Sequence, residues 1–177
     1  MPSKPEKVNM SEYIRATREC SVTQFHPELL QAIRSYFREH RLGDPEAETL
    51  MCCETLSRKK SAGRMASWLS GKSDTTIYTG MLLTSQWLIW VHHGDQSGTL
   101  LNAADLKQIR AGFYRSPLTK DTGLEIVGYI GDAKSRIRGY VGMGADPAAQ
   151  KFCEEVTQAI NRVNPPAKKG LFRWLGG

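Results

Sequence analysis

Apolar residues recur at helical spacing in two stretches of the chain and cluster as short β-prone runs in several others. In HPELLQAIRSYFREHRLG, Leu29, Leu30, Ile33, Tyr36 and Phe37 share one face, while Arg34, Arg38 and Arg41 occupy the rest. That pattern predicts a helix from Pro27 to about Leu42 that packs on another element. Pro27 suits the first helical position because it has no amide hydrogen to leave unsatisfied, Glu28 favours the positive helix start, and Gly43 suits a left-handed closure. The second stretch begins at Asp146 and Pro147, where Phe152, Val156, Ile160 and Val163 recur at spacings of four, four and three before Asn164, Pro165 and Pro166 stop the helix. A further helix is expected from Asn9, capped by Ser11, with Tyr13, Ile14 and Thr17 near one face.

Between these helices the periodicity shortens. ETLMCCETLS fits a strand, although the DPEAE before it equally fits a helix start. TTIYTGMLLTSQWLIWVHHGD reads as two strands joined by a tight turn at Thr84, Ser85 and Gln86, with HHGD at the next hairpin turn. GTLLNAADLKQIRAGFY is expected to hold one more strand, with Leu106 and Ile109 as apolar positions. TGLEIVGYIGDAKSRIRGYVGMG reads as a hairpin turning at Gly131 and Asp132: Leu124, Ile126 and Gly128 alternate on one side, and Ile137 and Val141 return. Glycines at 128, 139, 142 and 144 imply a bent sheet.

With 177 residues and 40% hydrophobic content, the chain suffices for one domain with attachments. The expected organisation is an N-terminal helical extension over 1–44, a main domain over 45–164 and a basic-aromatic tail over 165–177. No apolar run approaches the ~18 residues of a transmembrane helix and no signal-type segment opens the chain, so a cytoplasmic location is expected. The four cysteines, Cys20, Cys52, Cys53 and Cys153, have neither CxxC nor metal-ligand spacing. They are expected to be reduced and mostly buried, with Cys52 and Cys53 pointing to opposite faces of a strand.

Charge sharpens this picture. Net charge is +6, but Arg58, Lys59, Lys60, Arg64 and Lys72 stand against Asp74 alone between Ser57 and Asp74. Lys168, Lys169 and Arg173 add three more charges in the tail, which leaves the rest of the chain at −1. Basicity this local points to a surface that meets an anionic partner.

Several antiparallel strands followed by one amphipathic helix form an architecture in which the helix covers an end of a curved sheet. GMLLTSQWLIWV, Gly80 to Val91, resembles the second and third strands of bacterial pleckstrin-homology-like domains, with a glycine, an apolar run, a threonine, a short turn and a second apolar run. LLNAADLKQI resembles the next strand with its Asp-Leu-x-x-Ile motif, and DPAAQKFCEEVTQAINRV resembles the closing helix. The likeness spans about residues 46 to 164. It implies an α+β, mostly β fold: a PH-like curved antiparallel sandwich or half-open barrel closed by a C-terminal helix, here with two N-terminal helices. Many relatives carry a basic residue just before the second apolar run, where this chain has Trp87.

Catalytic motifs are weak. ASWLSGKS, Ala66 to Ser73, fits a loose phosphate-loop pattern, but a strand-forming DTTIYTGM follows where a helix is required. His92 and His93 on a strand point opposite ways and cannot readily grip one ion. No nucleophile elbow, Cys–His pairing or carboxylate pair stands out, so no enzymatic activity and no cofactor is expected.

SRKKSAGRMASWLSGKS lies between the presumed first and second strands, where phosphoinositide-binding relatives carry a basic loop. Met65, Trp68 and Leu69 cluster at helical spacing within it and suit either a headgroup layer or the protein's own core. The strand TIYTGMLLT lacks alternating basic residues, so phosphoinositide specificity is not carried over. The tail repeats the chemistry with Lys168, Lys169, Phe172, Arg173 and Trp174. Near an anionic leaflet each basic residue contributes about 1 kcal/mol before screening.

The expected function is therefore a non-enzymatic interaction module that associates with an anionic membrane surface. Arg58, Lys59, Lys60, Arg64, Lys72, Lys168, Lys169 and Arg173 supply charge, and Trp68, Phe172 and Trp174 supply interfacial contacts. The alternative is a protein adaptor or assembly factor whose tail and N-terminal helices bind a partner protein. Nucleic-acid binding would need a recognition helix or stacking motif that the chain lacks.

Overall fold

The computed structural model describes residues 12–60, 73–117 and 119–165. The fold is α+β and mostly β. Strands β1 (Tyr13–Glu19), β2 (Met51–Lys59), β3 (Thr76–Leu83), β4 (Trp87–Gly94) and β5 (Gly98–Asp105) form one antiparallel sheet in that order. Strands β6 (Ile109–Arg115), β7 (Thr122–Gly128) and β8 (Ile137–Gly142) form a second, also antiparallel. Helix α1 (Pro27–His40) precedes the short α2 (Pro45–Glu48), and α3 (Pro147–Val163) follows the last strand.

Side-chain alternation splits the core into two. Facing the second sheet and α3 are Cys53, Met81, Leu83, Leu88 and Trp90, packed with Leu124, Ile126, Phe152 and Val156. On the opposite face of the first sheet Cys52, Leu82, Ile89, Val91 and Ala103 receive Leu29, Ile33 and Phe37 of α1. The adjacent Cys52 and Cys53 therefore do point to opposite sides, as a two-residue period requires. All four cysteines are free thiols.

Both long helices lie where their periodicity placed them. DPEAE and the run after it each keep their own preference: α2 forms first and β2 begins three residues later. The left-handed closure of α1 falls on Arg41, with φ of 55°, and Gly43 follows with φ of 92°.

Four expectations are corrected. The helix expected from Asn9 is the strand β1, with Asn9 and Ser11 outside the described residues. Its aromatic and β-branched residues pair along β2, Tyr13 opposite Lys59 and Thr17 opposite Thr55, a long-range partnership that outweighs the weak helical pattern. GTLLNAADLKQIRAGFY holds two strands rather than one. The Asp105 carboxylate accepts the Lys107 amide (2.8 Å), forming a 3-10 turn at Leu106–Gln108 that carries the chain from one sheet to the other. His92 and His93 belong to β4, and only Asp95 of that group lies in the turn. Asp146 does not cap α3 with its side chain; its Oδ2 accepts the Thr17 amide (2.8 Å), tying β1 to the entrance of α3.

A buried carboxylate joins the N-terminal elements. Glu54 on β2 is 7% exposed. Its Oε1 accepts the His26 amide (2.7 Å) at the start of α1, and its Oε2 accepts Arg18 Nη2 (2.6 Å) from β1. Both carboxylate oxygens are thus satisfied, as burial demands.

His92 faces the inner core, with Nδ1 2.9 Å from the Thr79 hydroxyl. Burial, helped by the nearby charge of Arg15, pulls its pKa below the ordinary value of 6.5. An unfolded chain takes up this proton as pH falls through 6.5, whereas the folded chain does so only lower. In that window the unfolded state holds more protons, so stability falls with acidification. His92→Gln is expected to flatten this slope, by up to about 1.4 kcal/mol per pH unit, in urea unfolding followed from neutral to mildly acidic pH.

Candidate functional site

Where the C-terminal half of α3 passes over β6, the surface opens into a groove of about 880 Å³. Lys107 of the 3-10 turn, Arg110 of β6 and Arg136 from the β7–β8 connection line it, together with Asn161 and Asn164 from the end of α3. All three cations are exposed, and no carboxylate belongs to the lining. None of the three joins an ion pair among the described residues.

Packing explains the shape. Ile109 and Ile160 are buried beneath the groove, so the polar residues beside them on β6 and α3 are turned outward. Asn164 closes one end by donating its side-chain amide to the carbonyls of Leu106 (3.1 Å) and Lys107 (2.9 Å). Thr157 Oγ1 donates to the Cys153 carbonyl one turn back (2.8 Å) and shares that proton with the Ala111 carbonyl of β6 (3.3 Å). Among the described residues β6 pairs only with β7, so its other edge has no ladder partner. Further along it, Phe113 is 45% exposed.

A second, smaller cleft of about 340 Å³ lies beside Arg15, Tyr114 and Tyr140. Here the guanidinium is consumed internally: Nη2 and Nε bind the Asp121 carboxylate (2.8 and 3.0 Å), and Nη1 donates to Ser57 Oγ (2.9 Å). This constellation braces β1 against the second sheet and presents no spare charge to a ligand.

Of the residues singled out in sequence, Arg58, Lys59 and Lys60 are described. Arg58 is exposed on β2, Lys59 donates its ammonium to Ser73 Oγ, and the Lys60 amide donates to the Glu12 carbonyl (2.8 Å). Asp74 holds the stem of the connection through the amides of Gln96 (2.6 Å) and Ser97 (2.9 Å). Partial desolvation works to raise its pKa, but the Ser97 hydroxyl and these amides outweigh it and hold the carboxyl below its ordinary value. Arg64, Trp68, Lys72, Lys168, Lys169, Phe172, Arg173 and Trp174 lie outside the described residues, as does the phosphate-loop pattern except for Ser73.

The roots of the two basic segments are far apart. Lys59 stands at the end of the sheet where β3 begins and β4 ends, whereas Asn164 is bound to the turn following Asp105, opposite Trp87 at the other end. Eight residues of strand separate these ends, roughly 25 Å.

Comparison with family models, curated proteins and solved structures finds no match to this chain. Among the described residues no three His, Cys, Asp or Glu side chains converge as metal ligands, and no helix is long and apolar enough to cross a membrane.

Lys107, Arg110 and Arg136 were not found by sequence reasoning. Lys107 and Arg110 sit three residues apart in DLKQIR, and Arg136 belongs to the alternating Lys134, Arg136, Arg138 that runs from the β7–β8 connection into β8. Nothing local links these two segments; the fold does.

Proposed function

We propose that the protein is a non-catalytic interaction module that receives an extended acidic segment of a partner protein in the groove between α3 and β6. The observation that carries this reading is the coincidence, among the described residues, of a strand edge without a ladder partner and three cations without an ion-pair partner. A strand added to β6 would gain main-chain hydrogen bonds, and carboxylates along it would meet Lys107, Arg110 and Arg136. The same element order, seven successive strands from β2 divided between two antiparallel sheets and then α3 over the inner core, supports reading the main domain as pleckstrin-homology-like.

Fluorescence anisotropy with a labelled peptide of alternating Glu and Val tests the groove. Wild-type protein should bind with an affinity that falls as salt is added, and Arg110→Glu with Arg136→Glu should weaken binding by roughly 10–100-fold. Equal binding by the double variant would remove the groove from consideration.

A second reading, peripheral association with an anionic membrane surface, is favoured by Arg58, Lys59 and Lys60, which lead β2 into the basic β2–β3 connection. Sedimentation with phosphatidylserine vesicles separates the two readings. Vesicle binding that survives the groove substitutions but is lost on replacing Lys59 and Lys60 by glutamate belongs to the membrane reading.

A further inference from the structure

Cys20 and Cys52 stand directly opposite one another, because the β1–β2 register that pairs Glu19 with Cys53 continues by one residue. The Cys20 amide donates to the Cys52 carbonyl (3.4 Å), and the Cys52 thiol donates to the Cys20 carbonyl (2.8 Å). Residues opposed in this way on antiparallel strands share a face, with Cα atoms about 5.5 Å apart, within the roughly 4.4–6.8 Å that a disulfide spans. Both side chains belong to the α1 side of the sheet. Cys20 lies just past the end of β1, where the backbone is free of the ladder on its far side and can adjust to the bond.

We propose that Cys20 and Cys52 form a reversible dithiol–disulfide pair that fastens the end of β1, and with it the entry to α1, onto β2. Of the four cysteines only Cys20 is not buried, so it is the one a small-molecule disulfide can reach. In the first step a sulfur–sulfur bond of such a reagent is cleaved by Cys20, leaving a mixed disulfide and releasing one thiol. Cys52 then attacks Cys20 Sγ and displaces the second thiol. The two electrons lost by the cysteines reduce the reagent to two thiols, which carry away both protons. Interaction with the Cys52 side chain pushes the Cys20 thiol up, while Cys20 holds the Cys52 thiol below its ordinary value, so in the free dithiol Cys52 is the more readily ionised sulfur of the pair. Cys53 and Cys153 lie in the other core and have no part in the exchange.

The bond would close a loop that contains α1 and α2, restricting the unfolded chain more than the folded one. The full chain, folded and incubated with oxidised glutathione, should lose two of its four thiols and yield a linked Cys20–Cys52 peptide on proteolysis under non-reducing conditions. Its melting temperature should rise by roughly 5–10 °C and return on reduction. Cys20→Ser and, independently, Cys20→Ala should abolish both effects, and Cys153→Ser should abolish neither. Four unchanged thiols, a stable glutathione adduct on Cys20 alone, a linkage involving another cysteine or a second chain, or a linked form that melts no higher would each overturn the proposal.

Discussion

Phe152→Ala should lower the unfolding free energy by about 3–5 kcal/mol. The ring is fully buried on α3, in the core shared with Met81, Leu124 and Val156 from both sheets and the helix itself. Truncation removes its transfer energy and leaves a cavity that three rigid elements cannot collapse to fill. Measured by urea denaturation, that is a large share of the roughly 5–15 kcal/mol that holds a domain of this size together. The half-exposed Phe113 supplies the contrast, since its truncation should cost under about 1 kcal/mol. Because α3 forms one wall of the groove, the Phe152 variant should also bind an acidic peptide less tightly than Phe113→Ala does, even where it remains folded.

Gly123→Ala should be nearly as damaging, at about 3 kcal/mol or more. A Cβ at this position would fall on the carbonyl oxygen of Val141 and 2.9 Å from its carbonyl carbon. Both atoms are backbone of β8, so neither can turn aside as a side chain would, and the β7–β8 ladder must part locally. At Gly112, by contrast, an added Cβ meets nothing within 4 Å, and Gly112→Ala should change stability by less than about 0.5 kcal/mol. Circular-dichroism melts of the two variants compare a backbone approach with an unoccupied position. Equal stability of the pair would show that the second sheet tolerates separation of β7 from β8.

What could be read from the chain depended on whether its information was local. Pro27 and Pro147 begin their helices in place, and the Thr84 turn is visible because its hydroxyl accepts the amides of Gln86 and Trp87 within a few residues. The segment from Tyr13 to Thr17 satisfies either period weakly and takes its form from β2, some forty residues later in the chain. The crossing between sheets was missed because ADLKQI contains no glycine or proline; Asp105 makes the turn with its side chain. Charge behaved similarly. Counting it along the chain isolates the two basic segments, yet the −1 of the remainder conceals cations gathered from separate elements around the groove, whose lining among the described residues holds no carboxylate. Glu54 is the counterpart of that segregation, an acid withdrawn into the interior to hold Arg18 and the start of α1.

Because the two lysine- and tryptophan-bearing segments depart from opposite ends of the same strands, the body between them acts as a strut of fixed length. Between their described roots, Lys59 and Asn164, that length is set by the eight residues of β4.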